Sequence, residues 1–414
     1  MKKIYSFLLG AFALTTTVAQ TGWTVYSYTT STNIPNATFN SIAIDQTGNI
    51  WAGSSYSGIV KYNGTNWSKF TQSNSNILHD FTNDILVDNS NKIWVGNYKG
   101  VSVYNGTTFT NYDTINASFN GSEVYSLGKD NNGVIWLASK IGSFGYKGLT
   151  TYNGTTWTNL TGLPSQVVND EFNDYVFTST NEAWIANGGG MLKYNGTFTF
   201  YPKATTGLWD SKSIAKDASG NIWAGGFDGL LRYSSTGTTW TMRDNIADLG
   251  LTSNTFFYDI LVDGNYLWLA TSSGLLKFNM TTGVIVANYK AGNSPLTTNC
   301  VTRLAKDASG KIWMATTIGI VKMDPTLVIG IEEISSQGPF KIYPNPSTGL
   351  YNFSYDGFTN LNYKIYSAKG TLVSEGKAGS SNFQINLKNE ASGMYFVHIN
   401  TENSDNQVIK LIKE

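Results

Sequence analysis

Seven tryptophans close short apolar steps that each follow an acidic or polar turn: Trp51, Trp94, Trp136, Trp184, Trp223, Trp268 and Trp313. Their successive separations are 43, 42, 48, 39, 45 and 45 residues. A period of that length belongs to propeller blades rather than to helical repeats of about 33 or 34 residues. Around each tryptophan the same four pieces recur. In the first repeat, Phe39 to Asp45 alternates apolar and polar as an inner strand does, and Gln46-Thr47-Gly48-Asn49 makes a turn. Ile50 to Gly53 is a second strand and Gly58 to Tyr62 a third. Asn63-Gly64 has the chemistry of a two-residue hairpin turn, and Asn66 to Thr71 is a fourth strand.

The third strand is recognised throughout by a glycine followed by apolar residues, as at Gly100-Val101, Gly148-Leu149, Gly190-Met191, Gly229-Leu230, Gly274-Leu275 and Gly319-Ile320. Four-stranded antiparallel meanders bury both faces only by stacking against neighbours, and such stacks close into rings. The seventh repeat reaches Met323-Asp324-Pro325 without a fourth strand. Gly22-Trp23-Thr24-Val25-Tyr26 has the pattern of Thr156-Trp157-Thr158-Asn159 in the third repeat's fourth strand, so the N-terminal strand is expected to complete the last blade. The expected fold is all-β: a seven-bladed β-propeller over residues 20–325, a linker over 326–338 and a small β-sandwich over 339–414. Residues 1–19 read as an export signal, with Lys2 and Lys3, an apolar run from Ile4 to Leu14, and small residues before cleavage after Ala19. No later apolar run is long enough to span a bilayer.

Charge narrows the function. The 28 basic and 28 acidic residues balance, so no general electrostatic attraction to nucleic acid or an anionic membrane is expected. Charged residues are only 14% of the chain and aromatic residues equally 14%, an extracellular, β-rich balance. The single cysteine, Cys300, excludes a disulfide framework. The turns that begin at Asp45, Asp130, Asp217 and Asp307 each bring one carboxylate, whereas a calcium cage needs several, so they read as ordinary turns. The repeated tryptophans read as core.

The run Asp217 to Tyr233 (DASGNIWAGGFDGLLRY) resembles the repeat of two-component regulator propellers, the exported sensor regions of hybrid kinases in Bacteroidetes-type bacteria. The likeness extends over roughly residues 22–325. The membrane span and signalling domains of those sensors have no counterpart here, so a signalling role is not expected. The segments Lys341 to Gly349 (KIYPNPSTG), Tyr363 to Val373, Ala391 to Ile399 and Val408 to Glu414 resemble the type A C-terminal sorting domain of the type IX secretion system. That resemblance implies export across both membranes, engagement of the type IX machinery by the tail, and a final place outside the cell or on its outer surface.

Catalytic groups are scarce: His79 and His398 are the only histidines, and no nucleophile motif or metal-ligand spacing is present. Neither a catalytic residue, a metal nor a cofactor is expected. Propellers bind through loops on one face, and those loops carry Tyr56, Tyr98, Phe144, Tyr146, Trp209, Asp210, Phe227 and Asp228. The stretch Ser139 to Gly148 is the longest second-to-third loop and the first place to expect ligand contact. Aromatic faces beside hydrogen-bonding side chains suit sugar rings, so the expected function is an exported, non-enzymatic binder of glycan or another extracellular polymer. The alternatives are an adhesin-like protein-interaction scaffold and a polysaccharide lyase or hydrolase using Asp210 or Asp228.

Overall fold

The computed structural model describes residues 22–119, 121–141, 145–167, 171–179, 182–251, 255–327, 340–355, 361–367, 371–380, 382–401 and 404–414. The export segment, Phe144, the side chain of Tyr146 and nearly all of the expected linker lie outside this set.

Seven four-stranded antiparallel sheets occupy residues 23–323. Blade 1 is Phe39–Ile44, Ile50–Ser54, Ile59–Tyr62 and Trp67–Phe70. Blades 2 to 6 repeat that order, and blade 7 is Val301–Lys306, Ile312–Thr316, Gly319–Met323 and, as its outermost strand, Trp23–Tyr26. The last pairing runs antiparallel from Trp23 opposite Met323 to Tyr26 opposite Ile320. Each innermost strand packs against that of the next blade, and the innermost strand of blade 7 packs against that of blade 1, so the ring closes.

Burial follows position within the blade. Every residue of the second strands Ile50–Ser54, Ile93–Asn97 and Ile312–Thr316 is buried, because neighbouring blades cover both faces. This is why the strand carrying the tryptophan reads as an unbroken apolar run. The outermost strands alternate, as in Trp67–Phe70. The third-strand glycines Gly100, Gly190, Gly229, Gly274 and Gly319 have φ between 124° and 156°, and a Cβ at Gly229 collides with the Arg243 carbonyl oxygen. That conformation and that space admit only glycine.

The acidic turns and the tryptophans form one device. Asp217 Oδ1 accepts the amides of Ser219 and Asn221, both at 2.9 Å, while Oδ2 accepts the Asn221 side chain at 2.8 Å and the Trp223 indole N–H at 2.9 Å. Trp51, Trp94, Trp268 and Trp313 donate in the same way to Asp45, Asp88, Asp263 and Asp307. Each carboxylate thus satisfies an indole that blade stacking would otherwise strand, and Asp45, Asp88, Asp217 and Asp307 also fix their turns through backbone amides. The tryptophan rings fill the clefts between blades, with a cation from the third strand over five of them, as Lys322 lies over Trp313 at 5.5 Å.

Among the described residues the C-terminal region has seven strands in two sheets. Phe340–Tyr343, Leu350–Tyr355 and Asn382–Asn386 form one sheet. Leu361–Ser367, Leu372–Ala378, Gly393–Thr401 and Ser404–Lys413 form the other. Both contribute to a shared core that includes Tyr351, Phe353, Ile365, Ile385, Val397 and Leu411. The Pro-Asn-Pro-Ser run ties the front of this domain to its last strand. Asn345 accepts the Ile412 amide at 2.8 Å, and the Ser347 amide donates to the Ile412 carbonyl at 3.0 Å.

Candidate ligand-binding face

One face of the ring is built from the turns joining second to third strands and the loops leading into each innermost strand. A repeated backbone bond ties the two together. The amide of the fourth residue after the tryptophan donates to the carbonyl of the residue just before the innermost strand in four blades, Ser55 to Thr38, Tyr98 to Phe81, Gly188 to Glu171 and Ser272 to Phe256, while in blade 5 Phe227 reaches Trp209, further back in the entry loop, all at 2.8–3.2 Å. The same frame therefore presents Ser55, Gly188 and Ser272 in blades 1, 4 and 6, but aromatic rings in blades 2 and 5.

Around Tyr98 lie Phe81, His79 and, from blade 1, Tyr56. Tyr56 meets Phe81 edge-on at 4.8 Å between centroids, Phe81 lies 6.2 Å from Tyr98, and His79 5.4 Å from Tyr98. Tyr56 is 76% exposed and Tyr98 47%. His79 Nδ1 accepts the Phe81 amide at 2.9 Å, and burial together with the nearby Lys99 charge lowers its pKa, so the imidazole is neutral near pH 7.

Around Phe227 lie Trp209, edge-on at 6.2 Å, and Phe256 at 4.7 Å, which in turn stacks on Tyr258 at 6.0 Å. Trp209 is 52% exposed yet held in place. Its amide donates to Asp228 Oδ2 at 2.9 Å, Lys203 pairs with that same oxygen at 3.0 Å, and the Lys203 ammonium lies 5.3 Å from the indole centroid. Asp210, in a left-handed turn at φ 52°, pairs with Lys212 at 2.8 Å, and Lys212 also meets Glu171 at 2.8 Å. Burial alone lowers the Lys212 pKa, but the two carboxylates outweigh it and keep the ammonium above its usual range.

Lys212 and Tyr258 stand where other blades carry a link to the next blade. At that position Asn40, Asn83, Asn173 and Thr302 each donate to a carbonyl of the following innermost strand or its entry, namely Thr82, Val124, Ser211 and Phe39. Lys212 turns back to Glu171 instead, and Tyr258 is hydrogen-bonded to Cys300. Burial raises the pKa of the Tyr258 hydroxyl and of the Cys300 thiol, so both are neutral near pH 7. One residue deeper, Asp84, Asp174 and Asp259 alternate around the ring with Ser41, Ser126 and Ser213, and Arg303 takes the seventh place. Each aspartate accepts its own neighbour's amide and one from the next blade: Leu127, Ile214 and Leu304 at 2.7–3.0 Å. The Arg303 charge partly offsets the effect of burial on all three aspartates, while its guanidinium donates to the Tyr258 and Thr302 carbonyls. Burial pushes Asp84 up to about 6 and, with the Asp259 charge adding, Asp174 to about 7; Asp259 is raised as well.

The structure thus gathers Tyr56 with Tyr98, and Trp209 with Phe227 and Asp228. It turns Asp210 toward Lys212. The long loop expected from Ser139 to Gly148 is instead largely hairpin: Ile135–Ile141 and Gly145–Tyr152 extend into it, pairing Lys140 with Tyr146 and Ile141 with Gly145 past a bulge. The Lys140–Glu123 ion pair, 3.5 Å, anchors the base of that extension to the innermost strand. Lys203, Lys212, Phe256 and Tyr258 were not singled out by sequence. The fixed spacing from each tryptophan reveals Phe227, and the break in the run of Asn and Thr reveals Lys212 and Tyr258. Among the described residues no group of three or more His, Cys, Asp or Glu is placed to hold a metal ion.

These features define a β-propeller with an aromatic and ion-paired face, carried by an exported chain. Residues 341–414 match the secretion system C-terminal sorting domain, which marks the chain for type IX export to the cell surface or beyond. Among the described residues no helix is long and apolar enough to cross a membrane. The fold is similar to PorZ of Porphyromonas gingivalis, with TM-score 0.59, 20% identity, and coverage of 91% of this chain and 59% of that one. It is also similar to the extracellular domain of a putative hybrid two-component system of B. thetaiotaomicron, with TM-score 0.62, 16% identity, and coverage of 95% and 57%. A virginiamycin B lyase of Staphylococcus aureus aligns with TM-score 0.55 and 12% identity over 72% of this chain and 98% of its own. The chain therefore spans less than two thirds of the first two structures. A comparison with curated proteins finds no match.

Proposed function

We propose that the propeller is an exported, non-enzymatic binding module that recognises a glycan of the extracellular surroundings through the face bearing Trp209. The observation that carries this reading is the Trp209 ring: half exposed, yet fixed by the Lys203–Asp228 pair and by Phe227. An immobilised indole flanked by a cation and a carboxylate stacks on a sugar ring while its neighbours bond the hydroxyls, and little ordering entropy remains to be lost on binding. Binding rather than catalysis is supported by the state of the charged groups. Lys203, Lys212, Asp210, Asp228 and Glu171 are paired with one another, while the Tyr258 hydroxyl is held neutral, which disfavours it as a general base.

The test is a screen of the full-length chain against a glycan array and a polysaccharide panel, with Trp209→Ala alongside. Retention that the substitution weakens at least tenfold, at unchanged unfolding temperature, supports the reading. Equal retention of both proteins refutes this site. A protein-interaction scaffold is the second reading, favoured by the similarity to PorZ, described as a surface component of the type IX secretion system. Capture of one defined surface protein in place of any glycan selects it.

A further inference from the structure

The backbone bond from the turn amide to the entry carbonyl recurs around the ring, so every blade that has it offers an equivalent display position on this face. Serine or glycine stands there in blades 1, 4 and 6. Only blades 2 and 5 carry aromatics at that position, Tyr98 and Phe227, and among the described residues further rings gather at both: Tyr56 and Phe81 beside the first, Trp209 and Phe256 beside the second. Blades 2 and 5 are three apart in a ring of seven, the widest separation the ring allows. Between them, at the entry to the central channel that a ring of blades surrounds, the face is polar, with Lys212 paired to both Glu171 and Asp210.

We infer that the two aromatic platforms are two subsites for one polysaccharide chain laid across the channel mouth, so that the ligand is a polymer rather than a short oligosaccharide. This rests on the glycan reading above and adds the ligand's length and its second contact. Each platform exposes the rings of one or two side chains, the scale of a sugar residue. The apolar surfaces are divided by charged ground, not merged into the continuous patch of roughly 800 Å² per partner that a stable protein interface needs. His79 and Lys99 beside one platform, and Lys203 and Asp228 beside the other, supply hydrogen-bonding partners for hydroxyls. Linking two weak stacking sites through one ligand makes the second contact intramolecular, and avidity then exceeds single-site affinity by about 10²–10⁴ when the span fits.

The experiment uses the full-length chain, native affinity electrophoresis in laminarin, xylan, galactomannan, dextran and mannan, and calorimetry with the trisaccharide of whichever polymer retards it. Tyr56→Ala with Tyr98→Ala removes one platform, and Trp209→Ala the other. All three side chains are exposed, so unfolding temperatures are expected to stay within about 2 °C of wild type. The polymer is expected to bind at least tenfold tighter than its trisaccharide, and either change to cost the polymer at least tenfold. The trisaccharide is expected to lose less than about threefold with either change, because the other platform still takes it. A trisaccharide that binds as tightly as the polymer, or a polymer indifferent to loss of the Tyr56–Tyr98 platform, overturns the two-subsite inference and leaves the glycan reading standing; a polymer indifferent to Trp209→Ala overturns both. No retardation in any polymer overturns both.

Discussion

Replacing Asp217 with Ala removes four hydrogen bonds at once, while the same change at Asp130 is a natural control. Asp130 Oδ1 accepts the amides of Asn132 and Val134 at 2.9 Å each, as Asp217 does for its own turn. The indole of Trp136, however, is buried without a partner among the described residues, although it stands six residues after Asp130, the same spacing as Trp223 from Asp217. The difference between the two sites is therefore the bond to the indole and the bond to the Asn221 side chain. Hydrogen bonds to a charged acceptor contribute about 1.5–3 kcal/mol each, and an indole left unpaired in the core costs about 1–3 kcal/mol. Allowing for relaxation, Asp217→Ala is expected to cost roughly 3 kcal/mol more than Asp130→Ala. At about 2–3 °C per kcal/mol for a domain of this size, the gap is about 6–9 °C in unfolding temperature. Thermal unfolding followed by circular dichroism reads it directly. Equal losses at the two sites refute the claim that the carboxylate–indole bond stabilises the blades.

Two further expectations concern the ring as a whole. The channel aspartates have folded pKa values raised above the ordinary carboxylate value, so the folded protein holds protons that the unfolded chain has released. Stability then falls as pH rises from about 4 to 7. For Asp84, the interval from 3.8 to about 6 corresponds to about 3 kcal/mol. The turn aspartates Asp45, Asp217, Asp263 and Asp307 have lowered values and act oppositely: their contribution is complete above pH 4 and is lost as pH falls through their folded values. Unfolding temperature against pH is expected to peak near pH 4–5, and Asp174→Asn to flatten the decline between pH 5 and 7; an unchanged slope contradicts the assignment. Deleting residues 22–30 removes the strand that closes the ring and unseats Tyr26, stacked on Trp313 at 5.7 Å, and Trp23, edge-on to Tyr289 at 5.6 Å. Loss of two large half-buried rings with the whole closing strand, and exposure of an open strand edge, are expected to lower stability by roughly 3 kcal/mol or more and to promote association, visible by size exclusion. A monodisperse, equally stable product is the contrary result.

Most of the fold is legible because each blade must meet the same local demands. The buried second strand needs an unbroken apolar run, the third strand must begin on a glycine, and the hairpins at Gly64, Gly106 and Gly154 need Asn-Gly. The closing strand was legible from Trp23 and Tyr26 because it carries the outer-strand pattern found elsewhere. The Asp-to-Trp spacing is visible too, but the bond it makes is not: Trp136 keeps the spacing without the bond, and Trp184, with Thr178 at the expected place, bonds Glu182. The channel charges escape period-two reading because a bulge in most of the innermost strands shifts the register just before them, as between Thr82 and Asp84. For the candidate site, the loop aromatics were visible from their place in the turns and entry loops, Tyr56, Tyr98 and Phe227 without apolar neighbours in sequence and Trp209 after Leu208. Lys212 and Tyr258 were hidden at the start of innermost strands, where sequence alone assigns them to packing, and only the ring brings them beside Asp210 and Glu171.

The central claim, that this face of the propeller binds a polysaccharide, is tested most directly by hydroxyl-radical footprinting of the full-length chain with and without the polymer that retards it. Protection is predicted at Tyr56, Tyr98, Trp209 and Phe227, with the tryptophan-capping turns on the opposite face, such as Gln46 to Asn49, reacting as before. Protection confined to that opposite face, or none at a saturating polymer concentration, contradicts the account.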